Sequence, residues 1–530
     1  MTTQYDADVI VIGSGAVGSN TAYALAKQGK SVILLEAGER VPRWKIVQNF
    51  RNGSRRGDNV GPYPNTPQVP TSRFDGYVKN TGDFNMTPGF LKIVGGTTWH
   101  WGGAAWRYIP NDFKINTLYG VGRDWPIAYE DLEPYYVRAE YEIGVAGDEN
   151  EDQAGNQGVG FPPRSKPYPL PREKDTYYAE RLGARFKPLG YDLICEPSTR
   201  MSASYRGRPG CVGNNNCLPV CPIGANYSGQ VHADLAVEAG VKLITDATAW
   251  KLEKGPGGKI AAVHYRESDG KDTRLTAKVF VVAAHAYESA KLFLMSDVGN
   301  SSGMVGRNLM PHLALILRFL ADEPLWSGRG PIQQGAIMNI RDGEFRRHHA
   351  SNKYQLSSTV PNEFITTRLL EQGVFGSELD RRIRHDSARY TEMFGFFETL
   401  PFATNHISLG SNKTALGFPS LNVHYNLDDY SRRTVAPLLK DFDNFIHAMG
   451  GQDQVISNDG QLVSVDHIMG TLIMGDSAKD SVVDKHCRSW DHDNLFAVGT
   501  ANLTSSSTVN PTLTGIALGL RAADIIAAEV

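Results

Sequence analysis

Short apolar runs alternate with a helical pattern at the start of the chain. The run Asp8–Ile12 predicts a buried strand, Ser19–Gln28 predicts a helix, and Ser31–Leu35 predicts a second strand. This order is typical of a βαβ unit, in which the helix crosses one face of the sheet and the two strands pair in parallel. The segment therefore predicts an α/β domain.

The turn between the first strand and the helix has glycines at a dinucleotide-binding spacing. Gly13, Gly15 and Gly18 form the pattern Gly-x-Gly-x-x-Gly, and Glu36 ends the second strand. Glycines let the backbone approach a pyrophosphate at the helix N-terminus, and the carboxylate can bind both hydroxyls of a ribose. We predict a dinucleotide site; the alternative is a tight turn in an unliganded α/β domain. No second pattern of this kind follows a strand, so a separate NAD site is not expected.

The middle of the chain has a different pattern. Residues 40–90 and 161–171 are rich in glycine, proline and polar residues without periodicity, which predicts irregular connections. Between 330 and 460, β-like runs and helices predict a separate α+β domain. The other predicted elements are a helix at 175–186, strands at 241–252, 274–284 and 495–498, β-like runs at 354–360, 390–400 and 407–409, helices near 377–389 and 430–449, and a C-terminal helix opened by Pro511.

Composition and charge narrow the class of protein. The 530 residues include 54 Lys and Arg against 57 Asp and Glu, a net charge of −3, whereas nucleic-acid binders carry a basic excess. An apolar fraction of 41% with 21% charged residues is globular and excludes a disordered chain. No apolar stretch approaches the ~18 residues of a membrane span, and the N-terminus lacks the pattern of a secretory signal. We therefore expect neither in this chain.

Three of the five cysteines lie close together in sequence. Cys211, Cys217 and Cys221 stand in a loop of Gly, Asn and Pro, and their spacing does not fit the paired Cys-x-x-Cys of structural zinc. Clustered thiolates in such a loop, the last followed by proline, suit an iron–sulfur cluster. The alternatives are a local disulfide with one free thiol, or three buried structural cysteines. Cys195 and Cys487 have no comparable context and are expected to be buried as small apolar residues.

Together with the N-terminal glycines, three further segments resemble the glucose-methanol-choline (GMC) flavoprotein oxidoreductases. They are Gly95–Trp101, Val305–His312, in which Pro311 replaces the usual acid, and Thr508–Thr514. Through the run Tyr119–Trp125 and the cysteine loop, the chain is most similar to the catalytic subunits of bacterial membrane-bound sugar and polyol dehydrogenases. The resemblance implies FAD as cofactor and a 3Fe-4S cluster on the three cysteines.

The fold implied by the resemblance combines α/β and α+β parts. A Rossmann-like FAD-binding domain is joined to a second, substrate-binding domain built on an antiparallel sheet. We expect the FAD-binding domain at 1–45, 90–140, 225–315 and 460–530, the substrate-binding domain and excursions at 46–89, 141–200 and 316–459, and the cluster loop at 205–224.

The resemblance also implies the catalytic pair. His467 matches the base that removes the hydroxyl proton, a role that suits a histidine near neutral pH, and Asn510 matches the residue that positions the hydroxyl. Without the resemblance, His467 would more often be structural and Asn510 a helix N-cap before Pro511. Capping and catalysis are compatible roles. His312 and His492 are expected to be structural.

Contacts to the flavin are likewise implied by the resemblance. His100 either carries a covalent link to FAD or packs with Trp101 over the flavin ring. The expected cofactor-binding residues are Gly13, Gly15, Gly18, Glu36, Gly95, Gly96, Thr97, His100, Trp101, Asn510, Pro511 and Thr512.

Asp466 is the main departure from the resemblance. Relatives that use glucose or fructose commonly have Asn-Asn-His, where this chain has Val465, Asp466 and His467. A carboxylate here changes which hydroxyls are bound and repels an anionic sugar acid. We therefore expect an uncharged substrate, with D-sorbitol slightly favoured and D-fructose, D-glucose or another sugar close behind.

The implied complex is a quinone-linked dehydrogenase on the periplasmic face of the bacterial inner membrane. A small subunit would supply the export signal, and a multi-haem cytochrome c subunit would pass electrons to quinone. This chain has no Cys-x-x-Cys-His haem motif, so any haem must lie on a partner. Two alternatives are a soluble GMC oxidase that uses oxygen, which needs no cluster, and a non-catalytic flavin and iron–sulfur carrier, which needs no His467–Asn510 pair.

Overall fold

The computed structural model describes residues 5–53, 63, 76–86 and 89–530. The strands are β1 Ala7–Ile12, β2 Val32–Leu35, β3 Val78–Asn80, β4 Ala146–Gly147, β5 Leu170–Pro171, β6 Leu193–Cys195, β7 Lys242–Ile244, β8 Thr248–Lys254, β9 Ile260–Arg266, β10 Asp272–Leu275, β11 Ala277–Val282, β12 Met310–Leu320, β13 Gln333–Ile337, β14 Asn352–Ser357, β15 Tyr390–Phe397, β16 His406–Lys413, β17 Pro419–His424, β18 Gln452–Ile456, β19 Val463–Met469 and β20 Leu495–Ala497. The α-helices are α1 Ala16–Lys27, α2 Arg43–Asn52, α3 Ile115–Tyr119, α4 Tyr129–Ile143, α5 Tyr177–Phe186, α6 Gln230–Glu238, α7 His285–Ser296, α8 Asn362–Glu371, α9 Gly376–Arg389, α10 Asp429–Ala448, α11 Ser457–Gly460 and α12 Thr512–Glu529.

A five-stranded parallel sheet forms the first layer of the fold. Its order is β20-β11-β1-β2-β7, and each neighbouring pair is parallel. The apolar side chains of β1 and β2 are buried, and α1 packs against β2, α6 and α12. The βαβ unit predicted from the first 36 residues is confirmed. Because parallel strands end at one sheet edge, the turns that follow β1, β2 and β11 meet there.

A larger antiparallel sheet forms the second part. Its order is β18-β12-β15-β14-β13-β6, and β19 also pairs with β12. On one face of this sheet α10 packs through Phe442 and Phe445 against Tyr354 of β14. The predicted combination of a parallel α/β domain with a sheet-rich α+β domain is confirmed.

The sheet does not follow the domain boundaries expected from the sequence. β12 runs across the expected boundary between 315 and 316, and β19 pairs with β12 although it lies in the segment 460–530 assigned to FAD binding. Those boundaries stay a prediction. Part of the expected excursion 46–89 lies outside the described residues.

Helix α2 corrects the prediction of an irregular segment at 40–90. Ile46 is fully buried, and it packs with Val47 and Phe50 in a small cluster that includes Trp99 and Val220. The apolar positions 46, 47 and 50 share one helix face, which is the spacing of a short amphipathic helix. Neighbouring glycine and proline residues masked this pattern.

No helix in the described ranges is long and apolar enough to cross a membrane.

Candidate active site

A cavity of about 440 Å³ lies between the edge of the parallel sheet and one face of the antiparallel sheet. Ile12 and Leu35, at the ends of β1 and β2, line one side, and Phe394 and Phe396 of β15 line the other. Most of the residues predicted to bind cofactor or substrate also line this cavity, namely Gly13, Gly15, Glu36, Gly96, Thr97, His100, Trp101, Asp466, His467, Asn510, Pro511 and Thr512.

In the glycine turn after β1, Gly18 is closely packed against neighbouring backbone, whereas Gly15 faces open space. A Cβ on Gly18 would lie 1.9 Å from the carbonyl oxygen of Gly13, and Gly13 itself has φ +102°. A Cβ on Gly95 would likewise lie 2.6 Å from the amide nitrogen of Gln230. Gly18 therefore allows α1 to pack closely against the turn at Gly13, and Gly95 allows its loop to approach the start of α6; neither glycine lines the cavity. At Gly15, by contrast, a Cβ would have no described atom within 4 Å.

Glu36 is held in place by its own turn. Its carboxylate accepts hydrogen bonds from the amide nitrogen of Ser14 at 3.0 Å, the hydroxyl of Ser14 at 2.6 Å and the amide nitrogen of Gly38 at 3.0 Å. Burial raises the pKa of Glu36, and these three donors oppose that shift. A fixed acceptor at the end of the second strand suits the two hydroxyls of a ribose.

His100 ends a 3₁₀ turn, Gly96–His100, that borders the cavity. Burial lowers the pKa of His100 to about 4, so its imidazole is neutral at pH 7. Within the described part of the chain its Nε2 has no hydrogen-bond partner. This nitrogen is thus free for a bound flavin, and both expectations for His100, covalent attachment and packing, stay open.

His467 and Asn510 meet at the cavity wall, as the sequence predicts. His467 Nε2 lies 3.0 Å from Asn510 Nδ2. Burial lowers the pKa of His467 well below its ordinary value, and the neighbouring His312 and Lys353 lower it further. The imidazole is therefore neutral and able to accept a proton.

A β-bulge positions His467. In the pairing of β12 with β19, Pro311 is opposite Ile468 and His312 is opposite Val465. The two residues between, Asp466 and His467, have no partner on β12. Bulges direct side chains away from the regular alternation of a strand, and here both of these side chains line the cavity.

Asn510 is not the N-cap of the last helix, so that expectation is wrong. Helix α12 starts at Thr512, and Pro511 at its N-cap position makes no side-chain capping bond. The Asn510 side chain is instead engaged with His467 and with Lys353, whose Nζ donates to Asn510 Oδ1 at 2.6 Å.

The sequence-based prediction gives no role at the site to three residues near the pair. Lys353 of β14 and Glu196, which follows β6, are fully buried and form an ion pair at 3.2 Å. His312, expected to be structural, places its Nδ1 3.0 Å from Nδ1 of His467. The sequence of β14, Asn-Lys-Tyr-Gln-Leu-Ser, alternates polar and apolar residues and gives no signal that Lys353 is buried at the site.

Asp466 lines the cavity beside His467. Its side chain is exposed at the cavity wall, and partial desolvation by the surrounding protein raises the pKa of its carboxyl to about 6. Gly89 lies directly against it, because a Cβ on that glycine would be 2.4 Å from the Asp466 carboxyl group.

The three clustered cysteines lie beside the cavity and do not line it. None of the five cysteines of the chain, all of which are described, forms a disulfide, so the local disulfide is not observed. The amide nitrogen of Gly213 donates to Cys211 Sγ at 3.4 Å, and that of Asn226 donates to Cys221 Sγ at 3.5 Å. Among the described residues, no group of three Cys, His, Asp or Glu side chains is arranged to bind a metal ion.

Burial raises the pKa of the Cys217 thiol to about 11, and the nearby Arg200 guanidinium opposes that shift. Cys195 and Cys487 are buried, as expected. Leu218, next to Cys217, lines the cavity, so the cysteine loop borders the site.

Comparison with known proteins identifies the family. Models of the GMC oxidoreductases match residues 201–314 and 401–519, and a model of FAD dependent oxidoreductases matches residues 8–44. The fructose dehydrogenase large subunit of Gluconobacter japonicus is 38% identical over 98% of this chain and 97% of its own length. The chain belongs to the GMC oxidoreductase family.

Two further comparisons give a second sequence relative and a solved structure of the same fold. The 2-methyl-1,2-propanediol dehydrogenase of Mycolicibacterium austroafricanum is 29% identical over 99% of this chain and 96% of its own length. The crystal structure of pyridoxine 4-oxidase from Mesorbium loti has the same fold, with a TM-score of 0.63 at 15% identity over 98% of this chain and 99% of that one. The GMC protein is therefore an FAD-dependent oxidoreductase that acts on CH–OH groups, as predicted.

We expect Gly15→Ala to weaken FAD binding to this GMC protein without destabilising the protein in its absence. Gly15 has φ −63° and ψ −178°, which alanine also adopts, and its methyl group would extend into the cavity. Overpacking by one methyl group costs about 1–3 kcal/mol, so the Kd for FAD should rise roughly 5- to 150-fold. Titration of the apoprotein with FAD, beside its thermal unfolding, measures both effects.

Gly183→Ala is the matched control for this substitution. Gly183 lies in α5, where a Cβ would be 3.7 Å from the side chain of Leu193, an ordinary contact. FAD affinity should stay at the wild-type value. Wild-type affinity in Gly15→Ala as well would contradict the assignment of this turn to the cofactor.

Proposed function

We propose that this protein is the catalytic subunit of a dehydrogenase that oxidises an alcohol group of an uncharged sugar or polyol. The single observation that carries the proposal is the His467–Asn510 pair, 3.0 Å apart at the wall of a cavity that the glycine turn and Glu36 also line. A fructose dehydrogenase subunit and a propanediol dehydrogenase are among its relatives, which supports a hydroxylated substrate.

The pair suits proton removal from a hydroxyl. A substrate oxygen that replaces the direct contact between the two side chains accepts a hydrogen bond from Asn510 Nδ2 and gives its proton to His467 Nε2. Proton loss raises the electron density on the alcohol carbon, which can then release its hydrogen as hydride. When bound, FAD supplies the hydride acceptor, so the alcohol loses two electrons and becomes a carbonyl.

The described residues fit FAD. The glycine turn leaves space for a pyrophosphate at the start of α1, Glu36 presents a fixed acceptor for a ribose, and the unpartnered His100 Nε2 borders the cavity. We propose that these residues, with the segment that begins at Gly95 and the start of α12, hold the cofactor.

Asp466 supports an uncharged substrate. Its carboxyl lines the cavity next to His467 and is ionised above a pKa of about 6. Like charges repel, so an anionic sugar acid is disfavoured at neutral pH. We retain D-sorbitol as slightly favoured, with D-fructose, D-glucose or another sugar close behind.

The cysteine loop supports electron transfer through a metal cluster and not directly from the flavin to oxygen. Its three thiols are free, and backbone amides donate hydrogen bonds to two of the sulfurs, as they do in iron–sulfur sites. We propose that Cys211, Cys217 and Cys221 hold a 3Fe-4S cluster, which supplies one-electron transfer. The proposed partners are a haem c subunit and an export-signal subunit at the periplasmic face of the inner membrane, with quinone downstream.

Anaerobic addition of a sugar panel tests the proposed function. We expect D-sorbitol or another member of the panel, with D-fructose, D-glucose and D-gluconate beside it, to bleach the visible absorption of the flavin. His467→Ala should slow this bleaching by roughly 10²–10⁴-fold, the range for loss of a general base, with unchanged FAD content.

His492→Ala is the matched control, because His492 is a buried histidine that bonds the Gly258 carbonyl and does not line the cavity. A wild-type bleaching rate in His467→Ala would show that another residue is the base. A flavin that no member of the panel bleaches would favour the non-catalytic carrier, and rapid peroxide formation in air would favour an oxidase.

Substrate discrimination should depend on pH through Asp466. Above a pKa of about 6 the carboxylate repels D-gluconate, and below it the neutral carboxyl does not. The ratio of kcat/KM for D-sorbitol over D-gluconate should therefore fall roughly tenfold as the pH drops through 6, for a repulsion of about 1–2 kcal/mol. Titration of His467 affects both substrates alike and cancels in the ratio.

Asp466→Asn should make this ratio small and independent of pH. If D-gluconate is not turned over, its inhibition constant against D-sorbitol gives the same comparison. A ratio that stays constant with pH in the wild-type protein would contradict a role for Asp466 in substrate choice.

Cys217→Ser tests the cluster. A 3Fe-4S cluster is paramagnetic when oxidised, so the protein as isolated should give an electron paramagnetic resonance signal that this variant lacks. Substrate should still bleach the flavin, because His467 and Asn510 are intact, while electron delivery to quinone should collapse. Cys487→Ser, a free buried cysteine outside the loop, should keep the signal. Normal electron delivery by Cys217→Ser would refute the proposed exit.

A further inference from the structure

Lys353 fixes the orientation of the Asn510 amide. Its Nζ contacts three oxygens, those of Asn510 at 2.6 Å, Gln355 at 3.0 Å and Glu196 at 3.2 Å. An ammonium group has three N–H donors and no acceptor, so all three are used. The Asn510 oxygen must therefore face Lys353, which leaves its Nδ2 facing His467. A rotated amide would place two donors against each other.

The orientation of Asn510 determines which nitrogen of His467 carries hydrogen. Nδ2 is a donor only, and it lies 3.0 Å from His467 Nε2. Nε2 must therefore present its lone pair, and in a neutral imidazole the hydrogen is then on Nδ1.

His312 imposes the same arrangement from the other side of the ring. Its Nε2 lies 3.0 Å from the carbonyl oxygen of Ser507 and 3.3 Å from that of Ser506, so this nitrogen carries a hydrogen. The buried His312 ring has a pKa of about 4 and is neutral, so its Nδ1 is an acceptor. That Nδ1 lies 3.0 Å from His467 Nδ1, which must then be the donor.

We propose that Lys353 and His312 are positioning residues that hold His467 in one tautomer, with hydrogen on Nδ1 and the lone pair of Nε2 at the cavity. Two independent sets of fixed donors and acceptors, one at each ring nitrogen, require the same tautomer. The opposite tautomer would place donor against donor at Asn510 and leave His312 Nδ1 without a hydrogen.

The consequence for catalysis rests on the proposed function. A base must present a lone pair to the substrate hydroxyl, and the Nε2–H tautomer has none there. Once Nε2 has accepted a proton, the Nδ1–H bond to His312 stabilises the resulting positive charge. Lys353 acts on this step only through Asn510 and through its charge, since it does not line the cavity.

The tautomer of His467 can be measured by NMR spectroscopy without any substrate being oxidised. In long-range ¹H–¹⁵N correlation spectra of the holoprotein labelled with ¹⁵N-histidine, protonated and unprotonated ring nitrogens have well-separated shifts. Among the 14 histidines, the signal lost in His467→Gln identifies His467. We expect hydrogen on Nδ1 and an unprotonated Nε2. The opposite pattern would overturn the proposal whether or not any sugar is oxidised.

Paired substitutions separate positioning from folding. Lys353→Met leaves the Glu196 carboxylate buried without its cation, so Lys353→Met/Glu196→Gln, which removes both charges together, is made beside it. For His312 we compare Leu with Asn, whose side-chain oxygen keeps an acceptor for His467 Nδ1–H. His492→Leu is the control for loss of a buried histidine and should change neither the His467 spectrum nor kcat.

We expect the double variant and His312→Leu to show a mixture of His467 tautomers and a kcat lower by roughly 10–100-fold, at unchanged FAD content. His312→Asn should restore the Nδ1–H tautomer and most of the kcat. A single Nδ1–H tautomer with wild-type kcat in either variant would overturn the role of that residue. The wild-type tautomer without oxidation of any sugar would refute the proposed function and leave the positioning proposal standing.

Discussion

The buried ammonium of Lys353 is the interaction on which the site depends. A buried charge is costly unless each donor has an acceptor, and the three acceptors here come from β14, from Glu196 after β6 and from Asn510 before α12. The rings of Trp106 and Phe396 lie 5.4 and 5.3 Å from the Lys353 ammonium and shield it from water. The antiparallel sheet and the C-terminal segment are thereby held in one relative position.

The segment before α12 is fixed from its other side by a second group of buried charges. The Ser507 hydroxyl donates to Asp112 at 2.7 Å, and Arg346 bonds both Asp112 at 3.0 Å and Glu398 at 2.6 Å. Ser507 has φ +52°, a conformation that persists only where the surroundings enforce it. The same strained turn presents the two carbonyls that His312 bonds, so the ion cluster supports the tautomer of His467.

Local pattern was enough to predict the βαβ unit, the glycine turn with Glu36, and the His467–Asn510 pair through the family resemblance. Local sequence pattern did not predict the burial of polar side chains on a strand whose sheet is covered on both faces. Alternation along β14 predicts that Lys353 and Gln355 face solvent, but α10 covers one face of the sheet and the cavity wall covers the other, so both are buried. The bulge opposite Pro311 arises from the pairing of β12 with β19, which are far apart in sequence. No local sequence pattern near His312 predicts this bulge.

The bulge also places Asp466 and His467, which are adjacent in sequence, at the same cavity, whereas a regular strand would direct their side chains to opposite faces. Successive side chains of a strand point to opposite faces, yet four consecutive residues of β19, Val465 to Ile468, line the cavity. The register shift in this stretch leaves Asp466 and His467 without a partner on β12. The carboxyl that we propose distinguishes substrates therefore lies on the residue next to the proposed base. Gly89 packs against the Asp466 carboxyl with no room for a Cβ, so this glycine sets how far the carboxyl reaches towards the cavity. The proposed substrate choice and the geometry of the proposed base thus depend on the same short irregularity in β19.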